Sequence, residues 1–151
     1  MRYTLDTNVL LFYVRDGETR KFIEENYAPF SPENESLVSI VSIGEIMVLA
    51  SANNWGDRKL KLVQKLIDKL VIVELSYEDI LENYIELEEF NRNIHRTKKR
   101  EGSHIKMGKN DVWIAATAMA TSTSLLTSDK DFEHLNGEFF DVIIIKGDGT
   151  R

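Results

Sequence analysis

Between Tyr3 and Val14 the chain carries one charge, Asp6, in the run Tyr3-Thr4-Leu5-Asp6-Thr7-Asn8-Val9-Leu10-Leu11-Phe12-Tyr13-Val14. A carboxylate inside apolar sequence is costly unless it is paired, hydrogen-bonded or bound to a cation. Residues 3–6 read as a short strand and 8–14 as the start of a helix. Asp6 therefore falls at the carboxyl end of a strand, the place where open α/β sheets bind ligands.

The remaining chain alternates in the same way. Asp16-Gly17 breaks the first helix, and Thr19 to Tyr27 reads as a second, with Phe22, Ile23 and Tyr27 as its apolar face. Pro29 and Pro32 mark a loop. Leu37 to Ile40 suits a buried strand. Ser42 to Asn53 then reads as a buried helix, apolar all round, with Ser42 as its cap. Asp57 to Leu70 is amphipathic, with Leu60, Val63, Leu66, Ile67 and Leu70 at helical spacing. Val71 to Val73 is a third strand. A long helix follows from Tyr77 to about Arg96 with Ile80, Leu81, Tyr84, Leu87 and Ile94 inward. Asp111 to Ala120 reads as a buried, alanine-rich helix capped by Asn110. Leu125 to Thr127 and Val142 to Ile145 complete five strands, and the tail from Gly147 is polar. Strands alternating with helices predict an α/β fold, a parallel sheet with helices on both faces. At 151 residues the whole chain, 1–151, is expected to form a single domain.

Composition narrows the chemistry. There is no cysteine, which excludes disulfides, thiolate zinc sites and cysteine nucleophiles and fits a reducing, cytoplasmic compartment. No basic-then-apolar leader or run of about 18 apolar residues appears, so neither secretion nor a membrane span is expected. Net charge is −6, which argues against a general nucleic-acid binder, although the local pattern counts for more than the sum. From Glu74 to Phe90 there are seven acidic residues and no Lys or Arg. From Asn91 to Asn110 there are seven basic ones, Arg92, Arg96, Lys98, Lys99, Arg100, Lys106 and Lys109, against Glu101 alone. A Lys/Arg cluster neutralises phosphates, so this stretch is read as an RNA contact. Arg92 and Arg96 equally complement the dipole at a helix C-terminus. The histidines lack metal-ligand spacing and are expected at the surface, and Trp55 and Trp113 are expected in the core or an interface.

Four acids stand out: Asp6, Glu45, Asp111 and Asp129. Singly, Asp6 and Asp111 could serve a helix N-terminus and Asp129 a turn. Glu45 is the only charge from Ser36 to Gly56. Together they suggest carboxylates gathered around a hard cation. Clustered carboxylates raise one another's pKa, a divalent ion reverses that penalty, and an all-oxygen ligand set suits Mg²⁺ or Mn²⁺ rather than zinc.

Asp6-Thr7-Asn8, Ser42-Ile43-Gly44-Glu45, Asn110-Asp111-Val112-Trp113-Ile114-Ala115-Ala116-Thr117-Ala118 and Leu126-Thr127-Ser128-Asp129-Lys130-Asp131-Phe132 resemble the PIN-domain ribonucleases, most closely the VapC-type toxins. The resemblance spans nearly the whole chain. It implies a Rossmann-like, three-layer fold with strand order 3-2-1-4-5 and Mg²⁺- or Mn²⁺-dependent endonucleolytic cleavage of RNA. It makes Asp6, Glu45, Asp111 and Asp129 an acidic quartet, with Asn8 and Thr127 as supporting polar residues and Asp131 as a lower-ranked second acid of the last motif. Asp6, Asp111 and Asp129 would hold the metal, while Glu45 would orient or deprotonate the attacking water or hold a second ion. A small antitoxin and a homodimer are the partners it implies. Two rival readings remain: a phosphatase with an aspartyl nucleophile, which lacks its usual Asp-x-Asp because Asn8 holds the third position, and a catalytically silent binding module. The glycine-rich nucleotide-binding motifs are absent.

Overall fold

In the computed structural model, which describes residues 1–146, five strands pair in parallel. They are β1 (Arg2–Leu5), β2 (Glu35–Ser39), β3 (Val71–Val73), β4 (Ser124–Thr127) and β5 (Val142–Ile144), in the order β3-β2-β1-β4-β5. Thr4 is in register with Leu37 on one side and Leu125 on the other. Parallel pairing requires crossovers, and these are α1 (Thr7–Arg15), α2 (Glu18–Asn26), α3 (Ile40–Ala52), α4 (Asp57–Asp68), α5 (Ile80–Asn91) and α6 (Lys109–Thr121). A 3-10 turn spans Lys130–Leu135.

Successive strand residues face opposite sides of the sheet, so each strand feeds two cores. Leu37 and Leu125 pack with Ile80, Leu87 and Phe90 of α5 and Ile114, Ala115 and Ala118 of α6. Leu5, Val38 and Leu126 pack with Val9 and Leu10 of α1, Ile46 of α3 and Val63 and Leu66 of α4. The result is three layers, helix on sheet on helix. Chain direction across the sheet reverses between β1 and β4, which makes the carboxyl ends of that pair the topological switch point.

Several local expectations need correcting. Helix α3 is capped by Ser39, whose hydroxyl accepts from the Val41 amide, and not by Ser42, which is buried one turn in. Nor is α3 enclosed: Met47 is 43% and Val48 68% exposed. Helix α6 is capped by Gly108, two residues before Asn110. The helix expected to run to Arg96 stops at Asn91, because Asn93 turns left-handed at φ 61°. Ile94 thus leaves the helix and Leu81 sits beside its buried stripe, so both are exposed rather than inward. The tail from Gly147 lies outside the described residues.

No helix among the described residues is long and apolar enough to cross a membrane.

Candidate active site

Asp6 leaves β1 and caps α1. Its Oδ1 accepts from the Thr7 amide at 2.8 Å, and its Oδ2 accepts from the Thr127 hydroxyl at 2.6 Å and from the Asn8 side-chain amide at 3.2 Å. The capping role and the site role therefore coincide in one side chain. The adjacent strand end is tied into the same network: the Thr127 hydroxyl accepts from the Asp129 amide at 3.0 Å, and Asn8 Oδ1 accepts from the Ser128 amide at 3.2 Å. Asp129 opens the 3-10 turn by accepting from the Asp131 amide at 2.8 Å. Asp111 enters from the first turn of α6 and Glu45 from the middle of α3.

All five acids converge. Burial, and then the charges of Asp6, Asp129, Glu45 and Asp131, push Asp111 up from its ordinary 3.8 to about 7. Asp6 is 4% exposed. Its burial raises it to about 6 despite the stabilising bonds from Thr127 and Thr7, with the charges of Glu45 and Asp129 adding to the rise. Among the described residues, Asp111, Asp129 and Asp131 offer one carboxylate oxygen each, all within 4.8 Å of one another. This is an all-oxygen donor set of the kind hard divalent ions take. Asp6, already accepting three hydrogen bonds, and Glu45 stand outside that trio.

Raised carboxyl pKa values have a consequence for the metal-free protein. The folded state holds these protons more tightly than the unfolded chain, which sheds them near pH 3.8. Stability is thus fully present below that value and is lost as pH rises through about 6 and about 7. Asp6 alone contributes a loss on the order of 3 kcal/mol. Denaturation in EDTA at intervals from pH 5 to 8 should show the decline, shallower in Asp111→Asn; a slope identical in wild type and variant would refute it.

The structure also recruits two residues to which the sequence assigns no role in the site. Thr7 Oγ1 donates to Glu45 Oε1 at 2.6 Å, and Asn110 Nδ2 donates to Glu45 Oε2 at 3.3 Å. The available signal was adjacency, since each neighbours an acid, Asp6 or Asp111, at the start of a helix.

The basic stretch is divided by its contacts. Arg100 donates to the carbonyls of Phe90, Asn91, Glu101 and Ser103 and lies over the Phe90 ring at 5.9 Å. Lys99 donates to the His95 carbonyl, Lys98 pairs with Glu138 at 3.9 Å, and Arg92 lies 4.0 Å from Glu88. Arg96, Lys106 and Lys109 are exposed. Lys106 lines a cavity of about 420 Å³ together with Asp131 and His134.

His104 is exposed, but His95 is buried and His134 half-buried, contrary to the expected surface positions. His95 Nδ1 accepts from the amides of Thr97 and Lys98, which leaves the proton on Nε2 to donate to Glu86 at 2.9 Å. His134 pairs with Asn91 at 2.7 Å and lies parallel to Phe90. Trp113 stacks on Tyr84 with centroids 4.0 Å apart, and Trp55 is half-buried.

A family model for the PIN domain matches residues 3–138. The chain is 24% identical over 136 residues to "Ribonuclease VapC1" of Haemophilus influenzae (strain R2866), covering 89% of this chain and 92% of that protein. The fold is similar to that in the crystal structure of VapBC2 from Rickettsia felis bound to a DNA fragment from their promoter, with a TM-score of 0.74 and 17% identity over 97% of this chain and 100% of that one. It is also similar to that in VapBC-1 from nontypeable Haemophilus influenzae, with a TM-score of 0.71 and 20% identity over 95% and 98%.

Proposed function

This chain belongs to the PIN-domain family, and from that premise we propose that it is a Mg²⁺- or Mn²⁺-dependent endoribonuclease acting as the toxin of a toxin–antitoxin pair. The observation that carries the reading is the convergence of Asp6, Glu45, Asp111, Asp129 and Asp131 at the switch point of the sheet, with three of their oxygens within 4.8 Å. Asp111, Asp129 and Asp131 would hold the metal, and Asp6, which the resemblance also makes a ligand, faces them from the end of β1. When bound, the ion supplies a water acidified towards neutrality and positive charge for the leaving oxygen. Asp6, fixed by Thr7, Asn8 and Thr127, ties the end of β1 to that of β4 and adds negative charge to the site. Glu45 orients the attacking water and takes its proton. Asn8 is bonded to both Asp6 and the Ser128 amide and offers no general acid, which disfavours the phosphatase reading.

The substrate is RNA in the cytoplasm, with Arg96, Lys106 and Lys109 as the phosphate contacts; Arg92, Lys98, Lys99 and Arg100 contribute less because they already have partners within the chain. Exposed apolar side chains on α3 (Met47, Val48) and α5 (Leu81, Ile85) support two protein partners, a second copy of the chain and a small antitoxin. An open groove of about 620 Å³ beside Glu45, lined by Val41, Val48 and Leu49, is where an antitoxin segment would lie. The similar VapBC structures support an antitoxin partner.

Incubating the purified protein with a mixed RNA pool in Mg²⁺, Mn²⁺ or EDTA tests the proposal. Cleavage is expected with either ion and none in EDTA, together with a metal-dependent rise in melting temperature. Absence of both effects would leave the binding-module reading in its place.

A further inference from the structure

Glu45 has a problem that its neighbours do not share. Asp6, Asp111 and Asp129 sit where a strand ends or a helix or turn begins, so their short side chains are held by the backbone that delivers them. Glu45 instead projects from mid-helix on a side chain with three rotatable bonds. The two carboxylates it faces, Asp6 and Asp111, repel it. No ion pair to Glu45 exists among the described residues, and the groove beside it is open. Repulsion and side-chain entropy both favour swinging it away into solvent.

Two neutral donors oppose that. Thr7, 8% exposed at the start of α1, bonds one oxygen, and Asn110, in the first turn of α6, bonds the other. The helix starts that carry Asp6 and Asp111 into the site thus carry the donors for Glu45 with them. We propose that Thr7 and Asn110 are positioning residues that fix the Glu45 carboxylate for the reaction, the hydroxyl as the stronger arm and the amide as the weaker. This rests on the nuclease reading above. A neutral clamp suits the task. A lysine or arginine here would pair with the carboxylates and compete with the metal, whereas a hydroxyl and an amide orient Glu45 without neutralising it.

Thr7→Val keeps the branched shape and removes only the donor. Displacing a reacting group by about 1 Å costs roughly 100-fold. With one arm retained, kcat for a fluorogenic RNA oligonucleotide should therefore fall by roughly 10-fold in Thr7→Val, and by less in Asn110→Ala. KM and the Mn²⁺ concentration for half-maximal rate should stay within about two-fold, because neither residue is assigned to RNA or to the metal trio. Thr7→Ser should recover the rate. In a Glu45→Ala background Thr7→Val should cost nothing further, since it acts through Glu45. An unchanged kcat in Thr7→Val, or the same loss with and without Glu45, would overturn the proposal. The ¹³C shift of the Glu45 carboxyl gives a readout independent of activity: it should move in both variants. If it moves in neither, the clamp is refuted, even should the wild type cut no RNA and the nuclease reading fall by itself.

Discussion

Asp111→Asn should abolish cleavage and at the same time make the metal-free protein more stable. Asp111 accepts no hydrogen bond from the Thr127–Asn8 network that surrounds Asp6, while it faces the charges of Asp6, Asp129, Glu45 and Asp131. Removing its charge therefore breaks no bond of that network and relieves repulsion. The displacement from 3.8 to about 7 corresponds to about 4 kcal/mol at full strength. Asp111 is only half-buried, so solvent screening reduces this to about 1–2 kcal/mol. For a chain of this length that is a rise of about 2–8 °C in melting temperature at pH 8 in EDTA. Cleavage should fall by about 1,000-fold or more, because a metal supplies several kcal/mol of transition-state stabilisation. The rise in melting temperature on adding Mn²⁺ should shrink or vanish. Asp6→Asn is the contrasting case. It too should stop cleavage, but it loses acceptors for Thr127 and Asn8 and so gains little or no stability. A variant at position 111 that melted lower than wild type in EDTA would refute the electrostatic account of the site.

Phe90→Ala should produce the largest loss of stability. Phe90 is 2% exposed and serves as the hub of an aromatic cluster. Phe139 meets it edge-on at 5.3 Å, His134 lies parallel to it at 6.4 Å, His95 stands edge-on at 6.5 Å, and the Arg100 guanidinium covers its ring. Truncating a buried phenylalanine costs about 3–5 kcal/mol, which corresponds here to a fall of about 6–20 °C in melting temperature. The loss should be accompanied by faster amide exchange at Thr97, Lys98 and Ile105, whose N–H groups bond within the segment that Phe90 anchors. A fall of under about 3 °C, below the usual range for such truncations, would show that the segment is held independently of Phe90.

How far the sequence foretold these features varied with the kind of signal. The strands and the sheet order followed from short apolar runs alternating with helical spacing and from the motif resemblance, because burial on both faces leaves a strand no polar alternative. The acids were visible for a related reason: Asp6 and Glu45 each stand alone in apolar surroundings, and a charge there needs an explanation. What escaped was anything set by contacts between distant segments. Thr7 and Asn110 are ordinary residues for a helix start, and only folding brings both to Glu45. The charge run from Arg92 to Lys109 resembled a uniform basic surface, but Arg100 turns inward to backbone carbonyls that sequence does not display. The burial of His95 is hidden from the sequence in the same way, since its partners are two backbone amides and Glu86 on the preceding helix. Helix ends were the other weak point. Ser39 caps α3, three residues before the expected Ser42, and Asn93 ends α5 by a left-handed turn that the smooth apolar periodicity conceals.

Arg100 also governs how this part of the chain can change over evolutionary time. It fastens the segment through the carbonyls of Phe90, Asn91, Glu101 and Ser103. Every residue type presents a carbonyl, so this anchor is indifferent to most of the side chains around it. Thr97, Glu101, Ser103 and His104 are exposed and free to drift, while Arg100, Asn93 and the left-handed Gly102 are not. The segment can therefore exchange its surface chemistry, and with it whatever it touches, without disturbing the backbone that leads into Asn110 and Asp111. Under the proposed function, RNA contact and chemistry would then be separable by mutation within one short stretch of chain.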